Sequence, residues 1–276
     1  MSERDGYPPG VPCWVDTLQP DPDAAMRFYG GLFGWAFGGP GPMPAGAPGD
    51  APGRYFVARI RGRDVAGIGS LPPAGAPATP AWATHVAVAS AARTAERAAG
   101  AGGAVLAPPF DVLPAGRMAV LQDPGGAAVC AWEAADRRGA QLVNEPRAWA
   151  MSTLLTGNPE ECAHFYGTLF GWRTEPWGEG PAGTALFRLA GYVGGEPRQP
   201  VPRDVVAVMA PKSGGAPSHW SVDFWVEDID AAAARAVRLG GALPVPVHSR
   251  GLFRSAGIRD PRGAAFSISQ LMAGRP

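Results

Sequence analysis

Apolar positions recur along this chain with two periods, one helical and one extended. Ala25, Phe28, Tyr29, Leu32 and Phe33 fall at i, i+3, i+4, i+7 and i+8, the buried stripe of an amphipathic helix. Asp21 stands at the N-cap position, Pro22 at the first helical position, and Gly34 where a left-handed residue would stop the helix. Asn158, Pro159, Cys162, Phe165, Tyr166, Leu169, Phe170 and Gly171 repeat the device. Short apolar runs bounded by Gly and Pro predict strands at 13–18, 55–60, 64–70, 84–89, 104–106, 118–122 and 127–132. A second set follows at 185–190, 205–209, 222–226, 243–247, 254–259 and 265–269. Two further helices are expected, one at Ser90–Ala99 and one from the Asp228 cap to Gly240.

The order of elements is that of a duplication. Phe28-Tyr-Gly-Gly-Leu-Phe-Gly-Trp35 recurs 137 residues later as Phe165-Tyr-Gly-Thr-Leu-Phe-Gly-Trp172. At the same offset Asp123-Pro-Gly-Gly-Ala-Ala128 recurs as Asp260-Pro-Arg-Gly-Ala-Ala265, and Arg117 meets Arg254. Trp82 and Gly102-Gly103 meet Trp220 and Gly240-Gly241 one residue out of step. So long a period means two globular domains, expected at 1–140 and 147–276, each with a core of its own and each made of two βαβββ units. The fold class is α+β. The Gly/Pro-dense segments 36–53 and 71–81 read as connections able to lie over a pocket mouth.

Composition narrows the partners. Hydrophobic residues are 46% of the 276, enough to bury a core, and 24 basic residues balance 24 acidic ones. With net charge +0 and no basic run, neither nucleic acid nor an anionic membrane is an expected partner. Nothing approaches the ~20 consecutive apolar residues of a membrane span, and the segment Met1–Pro12 is polar and proline-rich, so a cytoplasmic location is expected. Cys13, Cys130 and Cys162 are odd in number and far apart, which predicts reduced thiols.

Two βαβββ units per domain, a helix ending in FYxxLFGW and a last strand entered through DPxGAA resemble the vicinal oxygen chelate superfamily of glyoxalase I, bleomycin-resistance proteins and extradiol dioxygenases. The resemblance covers nearly the whole chain and is greatest to tandem glyoxalase-like proteins of actinobacteria. It implies an open sheet curled around a cavity with helices outside, and a divalent metal that chelates two vicinal oxygens of the substrate. The family's ligand positions fall on Trp14, His85 and Cys130 in the first domain and on Met151, Asp223 and Ser267 in the second. Segments 66–70 and 205–209 add no acid or histidine. A divalent site needs three or four convergent donors, so no metal and no cofactor are expected. His85, Cys130 and Asp16 form the alternative N/S/O set.

Strand alternation places Trp14, Asp16, Leu18, His85, Ala87, Cys130 and Trp132 on the inward face of the first domain. In the second it places Met151, Thr153, Asp223, Trp225, Ser267 and Ser269 there. Indoles mixed with a few polar tips suit a pocket that stacks a flat organic molecule. The expected function is therefore metal-independent binding of a hydrophobic or aromatic small molecule, in sequestration or as a biosynthetic accessory, by a monomer or homodimer. The alternative is an enzyme, either metal-dependent or using His85, Asp16 and Asp223 for acid–base chemistry. Asp123 and Asp260 read as turn residues, Gly102-Gly103 and Gly240-Gly241 as helix stops, and Arg117 and Arg254 as partners of a substrate anion or a local carboxylate. His164, His219 and His248 read as surface or strand-edge residues.

Overall fold

The computed structural model describes residues 3–42, 53–71, 80–178, 182–194, 202–250 and 252–272. Most of the two Gly/Pro-dense connections, 43–52 and 72–79, lies outside the described residues.

The first domain runs β1 (Pro12–Gln19), α1 (Pro22–Phe33), β2 (Ala36–Phe37), β3 (Gly41–Pro42), β4 (Arg54–Ile60) and β5 (Arg63–Ser70). It continues with β6 (Trp82–Ala87), α2 (Ala91–Gly100), β7 (Ala104–Val112), β8 (Gly116–Gln122) and β9 (Ala128–Ala134). The second repeats the order: β10 (Trp149–Thr156), α3 (Pro159–Phe170), β11 (Arg173–Pro176), β12 (Ala185–Arg188) and β13 (Val205–Pro211). Then come β14 (His219–Trp225), α4 (Ile229–Arg238), β15 (Ala242–Arg250), β16 (Phe253–Arg259) and β17 (Ala265–Leu271).

The expected βαβββ units are all present, and the chain is a tandem pair of α+β domains with open sheets. Strand order is β2-β4-β5-β1-β6-β9-β8-β7 in one sheet, with β3 beside β4, and β11-β12-β13-β10-β14-β17-β16-β15 in the other. The opening strands of the two units in a domain pair antiparallel at the centre, β1 with β6 and β10 with β14. Parallel neighbours flank them.

Local chemistry explains the boundaries. The Asp21 carboxylate accepts from the Ala24 amide at 2.9 Å, Pro22 opens α1, and Gly34 closes it at φ 71°. Gly171 closes α3 at φ 75°, but Asn158 makes no side-chain cap there; its own amide donates to Thr156 Oγ1 instead. Two of the strands that run longer than the sequence pattern predicts contain prolines: β7 continues past Leu106 through Pro108-Pro109, and β15, which carries Pro244 and Pro246 as expected, continues past Val247 to Arg250. Both are edge strands, where a missing backbone donor leaves no ladder bond broken. The short strands β2, β3 and β11 are not predicted by the pattern: two residues of pairing in β2 and β3, and four exposed ones in β11, leave no apolar alternation to read.

Core construction departs from the expectation of one core per domain with helices outside. The helix-bearing convex faces of the two sheets face each other, and both large apolar clusters draw on both domains. One joins α1, β1, β4 and β5 to β14, α4, β16 and β17; the other joins α2, β8 and β9 to α3, β12 and β13. Phe33 meets Phe224 with centroids 5.0 Å apart. Tyr29 donates to Asp260 at 2.9 Å and Tyr166 donates to Asp123 at 2.8 Å, so each FYxxLFGW tyrosine is held by the other domain's turn aspartate. Trp35 donates to the Arg147 carbonyl and Trp172 to that of Gly10, each reaching across to where the other domain's first strand begins. The physical reason is area: a single sheet with two short helices leaves its convex face half covered, and the paired domains close it.

Candidate functional site

With the convex faces mutually buried, each concave face is left to line a cavity. The register places Trp14 opposite His85 and His85 opposite Cys130 in one sheet, Met151 opposite Asp223 and Asp223 opposite Ser267 in the other. Of the thirteen residues that alternation places inward, all but Ala87 lie on cavity walls, but in two separate cavities. The first, about 620 Å³, is lined by Trp14, Asp16, His85, Cys130 and Trp132 among others. The second, about 430 Å³, holds Met151, Thr153, Asp223, Trp225 and Ser267.

The first cavity carries a continuous hydrogen-bonded rail. Trp14 Nε1 donates to Tyr55 Oη at 2.8 Å, Tyr55 donates to Asp16 Oδ2 at 2.8 Å, and Asp16 Oδ1 lies 3.0 Å from His85 Nε2. A carboxylate at that distance is an acceptor for Nε2–H, so in the neutral imidazole the lone pair stands on Nδ1. Nδ1 is buried without a partner among the described residues, and His85 as a whole is 3% exposed. Burial first, then the Asp16 charge, hold the Tyr55 phenol well above the ordinary tyrosine range, so it remains a donor. The Trp132 indole donates to the Arg137 carbonyl at 2.9 Å and sits edge-on to His85 at 6.3 Å.

Tyr55 was not selected from sequence, and Gly67 explains how it arrives. Gly67 pairs with Asp16 across β5 and β1, and a Cβ at Gly67 would stand 1.9 Å from Tyr55 Oη. The absent side chain is the space the phenol occupies. In the second domain Val208 takes the equivalent place beside Thr153 and points into the cavity. A glycine in a run of apolar strand residues was the signal available. Arg59 and Arg137 also line the first cavity unforeseen, and Trp177 the second.

The second cavity has a different polar centre. Asp223 accepts from Ser267 Oγ at 2.6 Å and from Ser269 Oγ. His248, on edge strand β15, is exposed and reaches this cavity, with Nδ1 3.0 Å from the Pro246 carbonyl. His164 and His219 are exposed. Arg254 pairs bidentately with Asp230 and Arg117 lies 3.7 Å from Asp111, which settles both arginines on local carboxylates. Asp123 and Asp260 do cap their turns, accepting from the Ala127 and Ala264 amides, in addition to holding the tyrosines.

Metal chemistry can be tested against these donors. His85 Nε2 and both Asp16 oxygens are committed within the rail. Burial, and next the Asp16 charge, push the Cys130 thiol far above its ordinary range, against the thiolate that binds metals. Among the described residues no group of three or more His, Cys, Asp or Glu side chains is placed to hold an ion. The residues present do not fit the divalent site that the superfamily implies. Among them, too, no helix is long and apolar enough to cross a membrane.

Comparison with known proteins agrees with the fold. The chain is 39% identical over 274 residues to the Mycobacterium tuberculosis protein named "Putative glyoxylase CFP32", covering 97% of each. It is 32% identical over 282 residues to the anthracycline biosynthesis protein DnrV of Streptomyces peucetius, covering 98% of this chain and 96% of that one. The 2,3-dioxygenase LapB of Pseudomonas sp. KL28 superposes with a TM-score of 0.62 at 12% identity, over 96% of this chain and 92% of that one, a likeness of fold. A model of the glyoxalase-like domain matches residues 14–132 and again 151–269, and the chain belongs to that family as a tandem pair.

Proposed function

We propose that this protein binds a planar, largely apolar small molecule in the first cavity without a metal ion, in a biosynthetic accessory role. The observation that carries the reading is the wall of that cavity: Trp14 and Trp132 flank a polar rail in which the Trp14 indole, the Tyr55 hydroxyl, both Asp16 oxygens and His85 Nε2 are spent on one another. A volume near 620 Å³ suits a multi-ring ligand, within the roughly 300–1,000 Å³ of small-molecule sites. The accessory role is supported by the name of the DnrV relative. Tryptophan quenching by polycyclic aromatics, titrated before and after chelation, tests it. Affinity unchanged by chelation is expected; affinity that vanishes and returns with a stoichiometric divalent ion would refute the metal-free reading.

A second reading is favoured by one feature, the Asp16–His85 pair. An imidazole whose tautomer is fixed by a carboxylate is the arrangement of an oriented general base. In that reading His85→Ala abolishes turnover of a bound ligand while leaving most of its affinity. In the binding reading there is no turnover to lose.

A further inference from the structure

The first cavity has a charged mouth as well as an aromatic body. Arg59 and Arg137 both line it, and both are held by one carboxylate: Arg59 Nε lies 2.7 Å from Asp64 Oδ1 and Arg137 Nη1 3.2 Å from Asp64 Oδ2. Among the described residues each guanidinium thus spends one nitrogen on Asp64 and keeps the rest of its fork, and two positive charges share one negative partner. Their side chains are 42% and 26% exposed, which puts them at the rim. Arg137 also stands over the Trp14 ring at 5.3 Å, so the cationic rim and the aromatic wall are contiguous. Gly38 leaves room beside Arg59: a Cβ there would sit 3.0 Å from Arg59 Nη1. Among the described lining residues the other charged group is Asp16, which Tyr55 and His85 already engage.

The duplication supplies an internal control. On the equivalent hairpin of the second domain, Arg188 meets two carboxylates, Glu175 at 2.6 Å and Asp204 at 2.9 Å. There one arginine faces two acids, and it does not line the second cavity. The stoichiometry of charge is inverted between copies, with donors in surplus only where they face the aromatic pocket.

We propose that the first cavity selects planar aromatic molecules bearing a carboxylate, which Arg59 and Arg137 bind at the rim while the rings lie against Trp14 and Trp132. This rests on the binding reading above. Fork geometry matches a carboxylate better than a neutral carbonyl, and two guanidiniums around one anion leave Asp64 as their common anchor.

The test is calorimetric titration of the full chain with anthracene carboxylate and with the matching neutral carboxamide. The carboxylate is expected to bind about tenfold or more tightly than the amide, with a preference that shrinks as salt is added. Arg59→Gln should bring the carboxylate down to the amide's affinity and leave the amide unchanged, whereas Arg188→Gln should alter neither. Arg59→Lys, which keeps the ion pair to Asp64, should retain part of the preference and serves if the glutamine variant does not fold. Equal affinities in the unmodified protein, or a preference untouched by Arg59→Gln, would overturn the carboxylate proposal alone. Binding of neither probe would overturn both this proposal and the binding reading.

Discussion

Replacing Gly67 by alanine tests the central claim about how the rail is built. The added methyl would stand 1.9 Å from Tyr55 Oη, 2.5 Å from its Cζ and 2.9 Å from Asp16 Cβ, so Tyr55 must leave. Two hydrogen bonds go with it, Trp14 to Tyr55 and Tyr55 to Asp16. The first is between neutral groups and contributes about 1 kcal/mol; the second is to a carboxylate and contributes about 1.5–3 kcal/mol. Alanine returns about 0.4–1 kcal/mol by restricting the unfolded chain. The net cost is about 1.5–3.5 kcal/mol, a fall in Tm of roughly 3–14 °C for a chain of this size.

Thermal unfolding followed by circular dichroism measures that shift, and Trp14 emission should move as its indole loses its partner. Gly100→Ala is the matched control, since a Cβ there meets nothing within 4 Å. Tyr55→Phe separates the two causes. It removes the hydroxyl without the steric push and should cost nearly as much as Gly67→Ala if the hydrogen bonds dominate. A Gly67→Ala protein that melts within a degree or so of the unmodified chain, with unaltered emission, would refute the account of the rail.

Two other outcomes follow from the cross-domain contacts. Asp260 accepts from both Tyr29 and Gln19 of the other domain, while Asp123 accepts from Tyr166. Asp260→Ala also removes the acceptor of the Arg262 amide, so it should destabilise by two charge-assisted bonds more than Asp123→Ala, about 3–6 kcal/mol, in denaturant titrations; equal costs would contradict the pairing. Tyr29, Tyr55 and Tyr166 are all raised well above the ordinary value of 10.0, chiefly by burial. The folded state then holds these protons more tightly than the unfolded chain. Their contribution is intact below pH 10 and lost above it as the unfolded phenols ionise. Denaturant midpoints should fall above that pH, and fall less in a Tyr29→Phe protein; a midpoint flat through the tyrosine range would contradict this.

The sequence disclosed whatever depends on periodicity and local chemistry. The helices, their Pro starts and Gly stops, and the inward rows ending at Trp14, His85 and Cys130 follow from spacing and repetition. What it hid depends on residues far apart in the chain. Tyr55 belongs to the first site only because Gly67, on the neighbouring strand, lacks a side chain. Asp123 and Asp260 were legible as turn formers, yet their second oxygens reach tyrosines of the opposite domain. Gly103 and Gly241 follow helix-stopping glycines, but their own constraint is close packing on Phe165 and Phe28 across the domain boundary. Alternation sorts a strand into two faces and cannot say which face meets another domain.

That last point bears on why the two cavities differ. Folding here is carried by the convex faces: Leu154, Val222, Phe224 and Ile268 are all fully buried in the shared clusters. Their concave neighbours Met151, Thr153, Asp223, Trp225 and Ser267 are only half-buried, because they front an open cavity. A residue that is half exposed in the native state forfeits little burial energy when exchanged, so the concave rows are largely free of the stability constraint. The comparison within this chain shows that freedom used, with Met for Trp, Asp for His and Ser for Cys at equivalent positions of one scaffold. In the first domain the freedom is smaller. There the rail binds Trp14, Tyr55, Asp16 and His85 to one another, and a change at any of them leaves a buried polar group without its partner. A network that costs stability to alter but is absent from the sister copy is not required by the fold, and this supports the proposal that the first cavity is the binding site.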